Sequence, residues 1–228
     1  MRSFVIFLST IFLLVTGNLL IKSNPFEEIL EKKKINVIEL INHNKISKDY
    51  FYEKLSIKEG HSFWRFNPFK LKRDLENFNE IKNFSFNLNW SGTLQIKIEE
   101  TKPFMIWVRD EKVNYLDLNG RILKFNINDS DHKIIKLYGN NAYSKISELN
   151  NILVKKEKTL NNINSVHHQR YIGWKIIFHN KKCVLLPLKK LEKTFDIFQN
   201  ILKSQLYKKF NFFDLRVFGR VYMNNKKC

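Results

Sequence analysis

The sequence predicts an α+β protein. A single N-terminal transmembrane helix leads into a compact β-α-α-β-β unit, and a mainly antiparallel β domain follows, closing with a C-terminal helix and a final strand. Three observations carry this. An uncharged apolar run opens the chain, two stretches with helical spacing lie between stretches whose apolar residues alternate, and alternation dominates from Pro103 onward.

Phe4 to Ile21 is eighteen residues without a charge, flanked by Arg2 and Lys22. At about 1.5 Å per residue this makes a helix of roughly 27 Å, close to the ~30 Å hydrocarbon core of a bilayer. A cleaved signal peptide is the competing reading. Arg2 supplies a basic start, Phe4 to Leu14 an apolar core, and Val15-Thr16-Gly17 ends in a small residue. The run continues through Leu19, Leu20 and Ile21, which favours an uncleaved anchor over residues 4–21. A long following domain crosses largely regardless of nearby charge, so residues after 21 are expected outside the cytoplasm under either reading. Residues 1–3 then form a short cytoplasmic segment. Residues 22–34 form a polar linker ending in Lys32, Lys33 and Lys34, a solvated or headgroup-facing run.

The first soluble unit is expected over residues 35–102. Ile35 to Ile41 is a short β-branched strand. Ser47 is placed to cap a helix over about 48 to 57, with Asp49 in its first turn, Ile46 and Phe51 spaced as a staple and Gly60 as its stop. Asn67 and Pro68 are cap and first residue of a second helix, which aligns Leu71, Leu75 and Phe78 on one face. Phe84, Phe86, Leu88 and Trp90 then alternate with polar residues, Ser91-Gly92 turns the chain, and Leu94, Ile96 and Ile98 return. Both helices are expected on one face of a three-stranded sheet. The stretch HSFWRFNPF from His61 to Phe69 resembles a base-stacking platform, but its place between helices favours Phe63, Phe66 and Phe69 as core anchors.

The β domain is expected over residues 103–223. Strands are read at Phe104 to Val108, Val113 to Leu116 and Arg121 to Phe125, with a turn at Asp117 to Gly120. Residues 126–170 show only weak apolar clusters, at Ile134 to Leu137 and Ile152 to Val154. Trp174, Ile176 and Phe178 pair with Cys183 and Leu185 across a turn from His179 to Lys182. A helix over about 189 to 206 aligns Leu191, Phe195, Phe198, Leu202 and Leu206. A last strand runs from Phe212 to Tyr222, and residues 224–228 form a tail.

Forty Lys and Arg against 22 Asp and Glu give a net charge of +18, which raises nucleic acid, an anionic membrane or an acidic polymer as partner. Only eight of these are Arg, and the Lys spread through a chain rich in Asn, Ile and Phe, so composition bias discounts the charge. A span at 4–21 also removes the domains from cytoplasmic nucleic acid, so no nucleic-acid partner is expected. Cys183 and Cys228 are too few for a disulfide scaffold and are expected as inert thiols, although one bridge stays open in an oxidising compartment. His167, His168, His179 and Cys183 are the one grouping with metal-ligand chemistry. Adjacent strand histidines face opposite ways, however, and Cys183 has no evident base, so neither a metal site nor a nucleophile is expected. Glu99 and Glu100 likewise point apart. No phosphate loop fits seven scattered glycines, so no catalytic residue and no cofactor is expected. The competing functional reading is a secreted or periplasmic basic protein that binds an anionic polymer.

Ile46-Ser47, Ile57 with Gly60, Thr93-Leu94-Gln95-Ile96, Glu100 with Pro103, Asp117 with Gly120, Leu137 with Gly139 and Asp214-Leu215-Arg216 are weak signals singly. In this order and spacing, after an N-terminal span, the chain resembles the FtsQ/DivIB family of bacterial cell-division proteins, whose first soluble unit is a POTRA domain. There are departures: Asn42 stands where the family often has Gly, Thr101 where a basic residue is usual, and the cytoplasmic segment is short. The resemblance implies a non-enzymatic division scaffold at the septum, a single-pass inner-membrane protein with N-terminus cytoplasmic and later domains periplasmic. It implies FtsB- and FtsL-type partners and the septal peptidoglycan synthesis machinery. It also implies a docking strip, an open strand edge at Arg216, Val217, Phe218, Gly219, Arg220, Val221 and Tyr222, with Lys193 on the preceding helix contributing.

Overall fold

The structure, a computed structural model, describes residues 32–110, 112–126 and 134–228. The expected anchor and most of the linker lie outside these residues. Among the described residues no helix is long and apolar enough to cross a membrane. Two compact units emerge among the described residues: one holds 32–43 with 48–78 and 83–99, the other 44–47 and 79–82 with those from 100 onward.

The first unit contains strand β1 (Val37–Ile41), helices α1 (Lys48–Lys54) and α2 (Pro68–Glu76), and the hairpin of β2 (Ile81–Leu88) and β3 (Thr93–Glu100). The sheet order is β1-β3-β2, with β1 parallel to β3. A parallel pair needs a crossover, and the two helices supply it. The side-chain oxygen of Asn67 accepts hydrogen bonds from the Phe69 and Lys70 amides at 3.0 and 3.1 Å, and Pro68 follows it at the first helical position. Leu71, Leu75 and Phe78 are buried as their spacing predicts, and Phe78 meets Phe51 with ring centroids 5.2 Å apart. Leu94, Ile96 and Ile98 are buried with Ile38 and Leu40 of β1. Asn42 adopts φ 64°, the left-handed conformation that the glycine it replaces would take freely.

One expectation fails here. Phe63 and Phe66 are only half-buried, and Phe69 is 75% exposed. Phe69 precedes Leu71 by two residues, about 200° around the helix, so the face that buries Leu71 turns Phe69 to solvent. Trp90 also leaves the core at 72% exposed, because β2 ends at Leu88 and residues 89–92 form the turn. There the Asn89 side chain accepts from the Thr93 amide at 2.9 Å.

The second unit is a nine-stranded sheet in the order β12-β11-β10-β9-β8-β7-β4-β5-β6. Its strands are β4 (Met105–Arg109), β5 (Lys112–Leu116), β6 (Ile122–Leu123), β7 (Ile135–Tyr138), β8 (Ile163–Gln169), β9 (Gly173–Phe178), β10 (Cys183–Leu186), β11 (Phe212–Asp214) and β12 (Tyr222–Asn224). Five ladders are antiparallel, while β4 with β7, β7 with β8 and β10 with β11 are parallel. The parallel pairs explain why residues 126–170 resist a strand reading. Helices α3 (Ser147–Val154) and α4 (Glu157–Leu160) form the crossover from β7 to β8. The expected terminal helix splits into α5 (Leu191–Leu202) and α6 (Gln205–Lys209), because Ser204 stops the first and its hydroxyl accepts from the Leu206 amide at 3.2 Å. Leu149 and Leu153 of α3, Phe195 and Phe198 of α5, and Trp174 and Ile176 of β9 join one apolar core. Together the two units make an α+β chain.

The second unit also takes in residues 44–47. One Glu100 carboxylate oxygen accepts from the Asn44, Lys45 and Ile46 amides at 2.8, 2.9 and 2.9 Å, and Ile46 bridges to Phe125. Glu99 points elsewhere, accepting from the Asn83 side chain at 2.7 Å, as the strand alternation requires. At the β5 to β6 turn, Asp117 accepts from the Asn119 and Arg121 amides at 2.9 and 2.7 Å. Gly120 there has φ +81°, and a Cβ would stand 2.1 Å from the Tyr143 carbonyl oxygen. Gly60 has a similar φ of +85° with nothing within 4 Å of such a Cβ. Gly60→Ala is therefore expected to cost only the left-handed penalty, about 1 kcal/mol. Gly120→Ala must also displace backbone and should cost clearly more. Equal losses in the two variants on thermal unfolding would refute this account.

Candidate protein-docking edge

The sheet ends at β12, a strand of three residues paired on one side with β11 in the register Phe212 to Asn224, Phe213 to Met223 and Asp214 to Tyr222. Its other side carries no strand among the described residues. The single strand expected from Phe212 to Tyr222 is therefore two strands joined by a loop. The cause is local. The Asp214 carboxylate accepts from the Arg216 amide at 3.1 Å and from its guanidinium at 2.9 and 2.6 Å, folding the chain back on itself just after β11. Leu215 is buried, and its amide donates to the Leu185 carbonyl at 2.9 Å. Next, Val217 to Arg220 makes a turn, the Arg220 amide donating to the Val217 carbonyl at 3.0 Å with Gly219 at φ +79°.

Of the strip expected to dock a partner, Arg216, Val217, Phe218, Gly219, Arg220 and Val221 thus lie in the loop, and Tyr222 opens β12. The edge strand is Tyr222, Met223 and Asn224, in which alternate residues turn their backbone groups away from β11, so the edge begins only at the last residue of the strip that the resemblance implies. Alternation overran because Phe213, Leu215, Val217 and Val221 are all apolar, while only Phe213 and Leu215 are fully buried. Val217, Phe218 and Tyr222 are 51, 52 and 53% exposed. Lys193 is exposed on the first turn of α5. The lysine that does meet the loop is Lys190, its ammonium 4.4 Å from the centroid of the Phe218 ring. Lys190 holds φ 57° just before α5, and no spacing rule marks such a residue in a sequence.

The Arg216 hydrogen bonds hold the Asp214 carboxyl below its usual range, against an opposing push from partial burial, and the same bonds raise the Arg216 guanidinium. Behind the edge the expectation of inert thiols fails, because Cys183 and Cys228 form a disulfide. It pins the residues expected as a free tail back onto β10, and the Cys228 carbonyl accepts from the Lys175 ammonium at 2.8 Å. The bridge also removes Cys183 from any metal or nucleophile role. His167 stacks on Tyr138 and His168 lies against Trp174, each with its ring centroid 4.6 Å away, and both rings titrate below the ordinary range chiefly because they are buried.

A β-α-α-β-β unit leading into a mixed sheet with a short, apolar-flanked edge defines a two-unit module whose last strand is paired on one side only among the described residues. Residues 33–101 match the family model of the POTRA domain, FtsQ-type, and residues 105–216 that of the cell division protein FtsQ/DivIB, C-terminal. The chain belongs to the FtsQ/DivIB family of cell-division proteins. It is 23% identical over 209 residues to the cell division protein FtsQ of Rickettsia bellii (strain RML369-C), covering 89% of this chain and 77% of that one. A solved structure of the major extracytoplasmic domain of the trans isomer of DivIB from Geobacillus stearothermophilus aligns with 47% of this chain and 95% of its own. Its identity is 15% and its TM-score 0.36, too low to bear on the fold.

Two outcomes are expected. Because the folded-state pKa of Asp214 is the lower one, the pair contributes fully above the unfolded carboxyl's pKa of about 3.9, and the contribution is lost as pH falls through the folded value. The thermal midpoints of wild type and Asp214→Asn should therefore differ most at about pH 7, and the difference should shrink as pH falls below about 3.9; a gap that widens in acid contradicts this. Cys228→Ser opens a loop with a sequence separation of 45, for which chain entropy predicts a loss of up to about 4 kcal/mol. Reductant should lower the wild-type unfolding midpoint to that of the variant, and an unchanged midpoint would contradict a stabilising bridge.

Proposed function

We propose that this chain is a non-enzymatic, single-pass inner-membrane scaffold of the division machinery. Its N-terminus lies in the cytoplasm, its two units face the periplasm at the septum, and it connects FtsB- and FtsL-type proteins to septal peptidoglycan synthesis. The observation that carries the docking role is the β12 edge: a three-residue strand paired on one side only among the described residues, with Val217, Phe218 and Tyr222 exposed. A partner strand adding there would gain affinity from main-chain hydrogen bonds, and selectivity from the apolar side chains and from Arg216 and Arg220. The Cys183–Cys228 bridge supports an oxidising compartment, and the uncharged run at 4–21 supports the anchor.

A photo-crosslinking amino acid at Tyr222 or Phe218 should capture the FtsB-type partner in cells. The same group at Tyr171, itself 81% exposed, should not. Capture from Tyr171 alone would sink the edge mechanism. Fractionation of a C-terminally tagged chain tests the rest: a full-length inner-membrane species concentrated at mid-cell is expected, and a processed, soluble one rejects the scaffold.

A further inference from the structure

The core role expected for the aromatics of 61–69 fails at the surface of the first unit, and what stands there instead is a built cluster. Phe63 stacks on Trp90 with ring centroids 5.6 Å apart, and Trp64 packs edge-on against both, at 5.4 and 6.0 Å. The Lys33 ammonium lies 4.5 Å from the Phe63 centroid and 4.3 Å from that of Trp90. Trp64 and Trp90 remain 48 and 72% exposed.

Topology explains the meeting. Because β1 runs parallel to β3 from the pair Val37 and Thr93, the turn before β3 must lie at the end of the sheet where the chain enters β1. Asn36 donates through its side chain to the Ser91 carbonyl at 3.1 Å, and the Asn36 amide donates to the Gly92 carbonyl at 2.8 Å. The Phe63 amide donates to the Lys33 carbonyl at 2.8 Å, bringing the 61–66 segment to the same place. Gly92 is required there, since a Cβ would stand 2.5 Å from the Lys34 carbonyl oxygen.

We infer that this cluster is a bilayer-docking surface, which seats Trp64 and Trp90 among anionic phospholipid headgroups with Lys33 beside them. The inference rests on the anchor reading given above. Lys33 follows Ile21, the last of the uncharged run, by twelve positions, so the cluster stays within about 40 Å of the membrane surface even on a fully extended tether. Indole rings, apolar with one polar N–H, favour that boundary. Lys33, flanked in sequence by Lys32 and Lys34, supplies the matching charge, worth about 1 kcal/mol per cation near an anionic surface. A packed aromatic core would bury its rings, and a base-stacking platform would need nucleic acid on this side of the membrane.

The test uses the full chain reconstituted in vesicles of phosphatidylethanolamine and phosphatidylglycerol, with or without bromine on the acyl chains near the headgroup. Trp107 and Trp174 are buried at 6 and 3% exposure, so they report little. Tryptophan emission should fall in brominated vesicles, and Trp64→Phe/Trp90→Phe should lose most of that fall. Lys33→Glu should weaken it, and more so as phosphatidylglycerol increases. A chain that floats with the vesicles but shows equal emission in both lipids overturns the docking surface and leaves the anchor standing. A chain that does not float overturns both. The wild-type comparison alone decides, so a variant that folds poorly does not rescue the inference.

Discussion

The C-terminal edge depends on one carboxylate. Asp214 accepts both the amide and the guanidinium of Arg216, and a residue so engaged with the chain two positions ahead cannot continue in extended pairing. Everything beyond it follows. Leu215 drops into the core beside β10, the turn at Gly219 reverses the chain, and β12 returns antiparallel on β11. Without that stop, the apolar residues from 212 to 222 would suit one long strand, and a long, flat, apolar edge invites unselective pairing.

The first unit was legible because its signals are local. Asn67 with Pro68 and the Leu71, Leu75, Phe78 spacing mark a helix by capping and periodicity, and β3 shows its buried face by strict alternation. The exposure of Phe69 and Trp90 was not legible, since it depends on which residue ends an element rather than on the pattern inside it. Residues 126–170 hid their helices for another reason. In Ser147–Val154 the buried side includes Asn150, which reaches the Leu118 carbonyl at 2.8 Å, so polar and apolar residues share the inward face and blur the helical period.

The candidate site was legible only in part, and its weakest points are those set by distant chain. Asp214-Leu215-Arg216 is visible in the sequence as a motif, while its effect, a break in the strand, needs the geometry. Cys183 and Cys228 are far apart in the chain, and nothing local says that a terminal residue returns to β10. Thr101 illustrates the converse. It stands where the family usually has a basic residue, yet its hydroxyl donates to the Asn79 carbonyl at 2.9 Å and its amide to the Glu80 carbonyl at 2.7 Å, so the position remains tied by neutral hydrogen bonds.

Two explanations compete for a short edge flanked by arginines, and the side chains between them discriminate. An edge designed only to refuse partners is expected to be brief and charged, and Arg216 and Arg220 would serve that end. Refusal does not explain Val217, Phe218 and Tyr222, three apolar or aromatic side chains each about half exposed within six residues of the edge, when burial would stabilise them. Nor does it explain anchoring the chain end with a disulfide, since a frayed tail would itself blunt the edge. Arg216 also carries less charge outward than it first shows, because Asp214 neutralises it at 2.6 Å. The combination of a disulfide-tied chain end, a minimal ladder and exposed apolar side chains supports the docking proposed for this edge, in which side chains would choose the partner because three residues of backbone are too few to hold any strand that lacks them.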